Sequence, residues 1–306
     1  MTPSINLCEL LEKYGNDDKC REYLEALRWP DKVSCPQCKS LKISRIFKRN
    51  QFDCDKCRYQ FSVTAGTIFH DSHLPLTKWF ATTYLLCESR KGMSANQIKR
   101  MMGVSYKTAW YLCHRIRAAM QDPNPQPMTG TVEIDETYVG GKPPKGSKRG
   151  RGTPKQIVIG IRQRHGGLRF FHAHDVKSGT LAKYIKENVS GDVDMIVTDD
   201  FSAYHKALGE LDAKHSTINH SEGYYAVGEI HTNTVESAFS LLKRGVIGTW
   251  HKISAKHLQA YCNEMCFRFD NRKNPYLFRD TIKRLIGAET LEYKELIAEA
   301  DDFEAA

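Results

Sequence analysis

The chain has 306 residues and 41% hydrophobic residues, enough to bury a sizeable core in about two domains. Its formal charge of +9 is uneven, because residues 289–306 carry −6 and the preceding part carries +15. A body this basic favours a polyanionic partner. No apolar run approaches the roughly 20 residues of a membrane span and no signal-peptide pattern is found. We therefore expect no membrane partner, a cytoplasmic location and ten cysteines kept as thiols.

Residues 1–32 are predicted to form a helical lead-in to a metal-binding module at 33–62. Two Cys-x2-Cys pairs, separated by fifteen residues, can close a tetrahedral site with four thiolates. The residues between the pairs alternate enough for a short hairpin, so we interpret the module as a zinc ribbon that holds structural Zn²⁺. A module of this size has too little core to fold alone, and the metal should supply much of its stability. The predicted ligands are Cys35, Cys38, Cys54 and Cys57.

Residues 74–121 are predicted to be helical throughout and to contain a helix-turn-helix. Ser94 is placed to cap a short helix over Ala95–Met102, Gly103 supplies a tight turn, and Ser105 caps the next helix. A helix, a turn with glycine and a second capped helix form the pattern of a DNA-binding helix pair. The first turn of the second helix carries side chains of the kind that reach base edges. The candidate DNA-binding residues there are Ser105, Tyr106 and Lys107.

Residues 122–130 are a linker, since three prolines in five positions continue neither helix nor sheet. The next segment, Thr131–Val139, is predicted to be a strand in which apolar residues alternate with Glu133 and Asp135. A basic loop follows, and from Thr137 to His174 there are nine Lys or Arg residues and no acid. We interpret this loop as a contact to the phosphate backbone of DNA. The candidate residues in the loop are Lys142, Lys148, Arg149 and Arg151.

The rest of the chain alternates strands and helices, which predicts an α/β fold. The predicted strands are Gln156–Arg164, Leu168–Val176, Asp194–Asp200 and a segment near Lys214–Asn219. The predicted helices are 178–189, capped by Ser178, then Ala255–Asp270 and Tyr276–Ile286. The strand at 194–200 is apolar on both faces and ends near Asp199, where open α/β sheets place their sites.

A further helix is predicted within His231–Lys243. Its apolar stripe lies beside a polar face that carries Asn233, Glu236 and Lys243. We expect Asp135 and Asp199 to end strands of one sheet beside this helix. Hard divalent ions such as Mg²⁺ take oxygen ligands, and two or three carboxylates with substrate phosphate suffice. The predicted magnesium ligands are Asp135, Asp199 and Glu236.

Three segments carry a family resemblance. They are Glu-Ile-Asp135-Glu-Thr-Tyr, Val-Thr-Asp199-Asp-Phe-Ser-Ala-Tyr204, and His231-Thr-Asn-Thr-Val-Glu236 through Lys243. Together they resemble the DDE transposases of bacterial insertion sequences, in the ISXO-like group with an N-terminal zinc ribbon. The resemblance covers most of the chain, from the lead-in to residue 287. It implies a ribonuclease H-like catalytic domain at 131–287, a mixed sheet with flanking helices, before an acidic tail at 288–306 that we expect to be a solvated helix.

The resemblance implies an enzyme of DNA transposition and DNA recombination that acts in a bacterial cytoplasm. Its partner would be double-stranded DNA, at transposon ends and target, and its cofactor Mg²⁺ or Mn²⁺. Water and then a 3′-hydroxyl would attack phosphodiesters during cleavage and strand transfer. Because two ends must be joined, we expect at least a homodimer on DNA.

The family pattern also implies residue roles. Asp135 and Asp199 would be the first two metal ligands, and Lys243 would hold a phosphate. The third catalytic position stays open: the family match is Asn233, whereas charge and the 36-residue spacing from Asp199 favour Glu236. Two alternatives remain, a non-catalytic DNA-binding regulator derived from a transposase and a metal-dependent nuclease that does not join ends. The presence of every carboxylate argues against the regulator.

Overall fold

The computed structural model describes residues 5–140, 155–209, 214–218 and 231–298. Its contacts divide the chain into two compact units. The first unit contains residues 1–120 and 274–306, and the second contains residues 121–273. No helix in the described ranges is both long enough and apolar enough to cross a lipid bilayer.

The N-terminal part of the first unit combines helices with a small antiparallel sheet. Helices α1 (Leu7–Lys13) and α2 (Asp17–Arg28) precede strands β1 (Ile43–Ile46), β2 (Gln51–Cys54) and β3 (Gln60–Phe61). Helices α3 (Leu76–Glu88), α4 (Ala95–Met102) and α5 (Tyr106–Met120) follow. The predicted bounds of α4 are confirmed. The predicted helical region 74–121 contains these three helices, but residues 74–75, residue 121 and the residues between the helices are not helical.

The turn between α4 and α5 has the predicted chemistry. Ser94 Oγ accepts the N–H of Gln97 at 3.2 Å and begins α4. Gly103, at a φ of +60°, ends α4 in the left-handed region that favours glycine. Ser105 Oγ accepts the N–H of Thr108 at 3.1 Å and begins α5. Both predicted caps are therefore confirmed.

The second unit contains a mixed sheet with helices on both faces. Its elements are β4 (Thr131–Val139), β5 (Gln156–Gln163), β6 (Leu168–Ala173), α6 (Ser178–Asn188), β7 (Met195–Asp199), α7 (Ser202–Gly209), β8 (His215–Ile218), α8 (Asn233–Gly245) and α9 (Ala255–Asp270). The strand order is β6-β5-β4-β7-β8. β4, β5 and β6 pair antiparallel, whereas β7 is parallel to both β4 and β8. This arrangement confirms the predicted ribonuclease H-like mixed sheet.

The two faces of this sheet are covered by different helices, because side chains alternate along each strand. Val132 and Ile134 of β4 belong to the cluster that includes Leu181 of α6 and Tyr204 of α7. The opposite face packs on α8 and α9 through a cluster that includes Phe239. The acids of β4 at 133 and 135 alternate with the first face and so stand on the α8 side.

The entry to α6 differs from the prediction. β6 ends at Ala173, before the predicted end of its strand, and Ser178 is the first residue of α6 rather than its cap. Lys177 occupies the cap position, but its side chain makes no capping hydrogen bond. Asp175 Oδ1 instead accepts the N–H of Lys177 at 3.1 Å and the hydroxyl of Thr180 at 2.6 Å. The carboxylate of Asp175, which precedes the cap position, therefore stabilises this turn. Residues 174–176 are consequently not part of a strand.

The last two helices in the described ranges, α10 (Leu277–Gly287) and α11 (Tyr293–Ile297), belong to the first unit. The Phe278 ring of α10 lies 5.7 Å from Phe80 and 6.0 Å from Tyr14, between centroids. Whereas the predicted catalytic domain extends to residue 287, the apolar face of α10 completes the core of the first unit. In the described part of the acidic tail most residues are exposed, as expected of a solvated helix, and Leu296 of α11 is buried at 9% exposure.

Candidate functional site

Asp135 and Asp199 stand on neighbouring parallel strands. The pairing of β4 with β7 runs to Glu133 opposite Val197. The next residues on the same face of each strand are Asp135 and Asp199, so both carboxylates lie at one level of the sheet. Asp199 ends β7, as predicted. Asp135 lies within β4 and not at its end, because β4 continues in antiparallel pairing with β5 as far as Val139.

Helix α8 packs directly over the strand beside Asp135. Gly160 of β5 is the cross-strand partner of Asp135. A Cβ at Gly160 would lie 2.6 Å from Cζ of Phe239 and 2.9 Å from Cγ2 of Val235, both on α8. The absence of a side chain at Gly160 therefore allows the close approach of α8. Glu236, which follows Val235, is carried to the same region of the sheet.

The pKa of Asp135 is raised, in part because other acidic side chains lie close to it. Desolvation and the neighbouring charge of Glu136 raise the pKa of Asp135 to about 8, with smaller contributions from Asp199 and Glu236. The N–H of Glu136 donates to Asp135 Oδ1 at 2.8 Å and acts in the opposite direction. The three predicted ligands thus interact electrostatically. A divalent cation among them would relieve the repulsion, so the donor set fits a hard metal ion.

The other predicted catalytic residues lie along α8. Asn233 is its exposed first residue, and Lys243 is exposed in its last turn. Glu236 is partly exposed, and its Oε1 accepts the hydroxyl of Thr232 at 3.0 Å. Asp200, which directly follows Asp199, is exposed, and its Oδ1 lies 3.1 Å from Nε2 of His205.

The four predicted zinc ligands come together in the first unit. The sulfur atoms of Cys35, Cys38, Cys54 and Cys57 all lie within 4.8 Å of one another. In the ranges that the structure describes, no other group of three or more potential ligands is gathered as closely. The N–H of Lys39 donates to Cys35 O at 2.9 Å, and that of Arg58 donates to Cys54 O at 2.7 Å. Lys39 and Arg58 share φ values near +60°, so two matching turns present the thiols. Four thiols at this spacing fit structural zinc.

The candidate DNA-binding residues of α5 lie at its N-terminus. Ser105, Tyr106 and Lys107 are all exposed, Tyr106 at 49%. The hydroxyl of Ser105 is engaged in capping α5, and Lys107 Nζ lies 4.3 Å from the ring centroid of Tyr293. The candidate residues of the basic loop, Lys142, Lys148, Arg149 and Arg151, lie outside the described residues.

Sequence reasoning assigned no role to two other acids of β4. Glu136 Oε2 accepts the hydroxyl of the buried Tyr204 at 2.9 Å, which joins the strand of Asp135 to the helix that follows Asp199. Glu133 is fully buried. The sequence signal that could have found these contacts is position: Glu133 and Glu136 lie in the motif segment around Asp135, and Tyr204 lies in the segment around Asp199. An acid in a strand with buried neighbours requires a partner, but the sequence does not name it.

Comparisons with known proteins relate the chain to transposases. Residues 127–270 match the family described as the ISXO2-like transposase domain, and residues 15–60 match the transposase zinc-ribbon domain. The chain is also similar to an uncharacterized protein in transposable element ISH50 of Halobacterium salinarum. The two are 31% identical over 261 residues, which cover 76% of this chain and 84% of that protein. The first match includes the three carboxylates on the sheet and α8, and the second includes the four cysteines.

Proposed function

The chain belongs to the ISXO2-like transposase family, and we propose that it binds transposon ends and catalyses metal-dependent phosphodiester cleavage and strand transfer. The observation that carries this proposal is that Asp135 and Asp199 lie at one level of neighbouring parallel strands, where the charges of Asp199 and Glu236 both act on Asp135. A regulator that only binds DNA has no need of three mutually repelling carboxylates.

In the proposed mechanism Asp135 and Asp199 hold Mg²⁺ or Mn²⁺ from adjacent strands. When bound, such ions neutralise charge on the reacting phosphate and favour in-line displacement. Glu236 is the proposed third ligand, because its charge acts on Asp135. Asn233, one turn earlier on α8, borders the same site, and Lys243 binds a phosphate of the DNA.

The first unit is the proposed site of DNA recognition. The exposed N-terminus of α5 would read the transposon end through Ser105, Tyr106 and Lys107, in the manner of a recognition helix. The zinc ribbon would hold one structural Zn²⁺. The basic loop after β4 would contact phosphates. We further propose action on double-stranded DNA in the cytoplasm, by an assembly of at least two chains.

The test is a strand-transfer assay on a labelled transposon-end duplex with Mg²⁺, comparing the parent with Asp199→Ala. We expect joined product from the parent and none from Asp199→Ala, with equal duplex binding in a gel shift. Asp192→Ala is the matched control, because Asp192 is an exposed acid of the same unit. Cleavage without joining would favour the nuclease, and binding without cleavage in the parent would favour the regulator.

A further inference from the structure

Glu133 lies two residues before Asp135 on the same face of β4. Its side chain has 0% exposure, although it is outside the set of proposed metal ligands. A buried carboxylate is costly unless it is paired and hydrogen-bonded. Its partners therefore indicate why an acid stands at this position.

One oxygen of Glu133 caps helix α8. Oε2 accepts the N–H groups of Thr234 at 2.9 Å and Val235 at 3.1 Å, and the hydroxyl of Thr234 at 2.7 Å. Thr232, in the N-cap position of α8, makes no side-chain cap bond. A residue of the neighbouring strand thus satisfies N–H groups that a local cap usually satisfies, and its negative charge is favourable at a helix N-terminus.

The other oxygen joins two further segments. Arg164 Nε donates to Glu133 Oε1 at 2.7 Å, and His231 Nδ1 lies 3.2 Å from the same oxygen. Arg164 Nη2 also donates to the carbonyl oxygen of His231 at 3.0 Å. Arg164 follows β5 and His231 precedes α8, so a closed ring of contacts surrounds the carboxylate. Both oxygens of Glu133 are therefore engaged in fixing α8 against the sheet.

We propose that Glu133 is a positioning residue that sets the separation between Asp135 on β4 and Glu236 on α8. This inference rests on the proposed function of those two residues as metal ligands. Glu236 directly follows Val235, whose N–H is capped, and Asp135 is the next residue on the face of Glu133. One side chain thereby joins the two ligand-bearing elements where they meet. Loss of such an outer contact typically lowers metal affinity by roughly 10–100-fold.

The test uses Glu133→Gln in the zinc-loaded, full-length protein. This substitution keeps the shape of the side chain, removes the charge beside Arg164 and places an NH2 group among donors. We expect calorimetric titration to show Mn²⁺ affinity at least about 10-fold weaker than in the parent. We also expect faster hydrogen exchange at the amides of Thr234 and Val235, with unchanged exchange in α9.

The matched control is Glu264→Gln, which alters a buried acid of α9 whose Oε1 lies 3.2 Å from Arg268 Nε. It should lower stability without changing Mn²⁺ affinity. Parental Mn²⁺ affinity or parental exchange at the start of α8 in Glu133→Gln would overturn the positioning role. Equal Mn²⁺ binding by the parent and Asp199→Ala would instead overturn the proposed metal site, and the inference with it.

Discussion

Asp135 has an environment in which a negative charge is difficult to hold. Desolvation is the largest cause of its raised pKa, and the charge of Glu136 follows. Asp199 and Glu236 add to the repulsion. At the scale of the residue, the candidate site therefore favours a bound cation. In the metal-free protein the carboxylate of Asp135 binds a proton near neutral pH instead of a metal ion.

The raised pKa of Asp135 predicts an unusual pH dependence of stability. The pKa of Asp135 rises from an ordinary 3.8 to about 8 on folding, so the folded state binds more protons than the unfolded state between these values. The free energy of unfolding should then fall as pH rises through that interval. Asp135→Asn imitates the protonated form, and between pH 6 and 8 the parent should lose on the order of 1–2 kcal/mol more than this variant.

The measurement is urea unfolding of both proteins at pH 6 and pH 8 without added magnesium. A chelator is avoided because it would also remove zinc from the ribbon. Asp192→Asn, which changes an exposed acid, should keep the pH dependence of the parent. Identical pH dependence in the parent and Asp135→Asn would contradict the account.

Single residues also show which parts of the candidate site can be predicted from the sequence and which cannot. The cysteine pairs could be predicted because their spacing is itself a metal-binding pattern. Asp199 could be predicted from an apolar strand that ends in an acid, Asp135 and Asp199 together from the family resemblance, and Glu236 from its charge and its spacing from Asp199. The role of Glu133 could not, since its partner Thr234 is 101 residues away in the chain and the contact exists only after α8 docks.

At the scale of elements, the sequence predicts the bounds of those helices and strands that depend on neighbouring residues. The bounds of β4 and α4 follow from alternation and from a serine cap with a C-terminal glycine, and both were predicted correctly. The start of α6 was not, because Asp175 provides its polar contacts from outside the cap position. The placement of α10 was not either, because an apolar helix face does not specify which core it completes.

The contact of α8 with the sheet leads to a prediction for Gly160→Ala. The added Cβ would meet Phe239 and Val235, both buried on α8, at distances well inside van der Waals contact. We expect the free energy of unfolding to fall by about 1–3 kcal/mol, since overpacking forces backbone or side-chain shifts. We also expect strand-transfer activity to fall by more than the decrease in the folded fraction explains. Urea unfolding and the transfer assay provide the two values.

Gly179→Ala is the control for this substitution. Gly179 lies in α6, where an added Cβ would have no heavy atom within 4 Å. Alanine there should be neutral or stabilising by about 0.4–1 kcal/mol. If Gly160→Ala behaved like Gly179→Ala, the close approach of α8 would not constrain the site.

The ribbon provides a second prediction at this scale. Cys57→Ser removes one of four clustered thiols, and a module with little core depends on its metal. We expect zinc content to fall from one ion per chain to almost none, with rapid proteolysis between residues 33 and 62. Cys8→Ser, which changes an exposed cysteine outside the cluster, should retain the zinc. Full zinc content in Cys57→Ser would exclude a four-thiolate site.

At the scale of the molecule, the two units divide the proposed work. The first unit carries the cysteine cluster and α5, and the second carries the three carboxylates. Neither set is sufficient for transposition in this account, since a transposon end must be both recognised and cleaved. The strongly basic composition ahead of residue 289 is consistent with DNA as the common ligand of both units.

The central claim is that the carboxylates on β4, β7 and α8 form one divalent metal site. The most direct measurement is electron paramagnetic resonance of free Mn²⁺ during titration into the zinc-loaded parent, Asp199→Ala and Asp192→Ala. We predict that the parent and Asp192→Ala bind Mn²⁺ with equal affinity and that Asp199→Ala binds at least about 10-fold more weakly. Equal affinity in all three proteins would contradict the account.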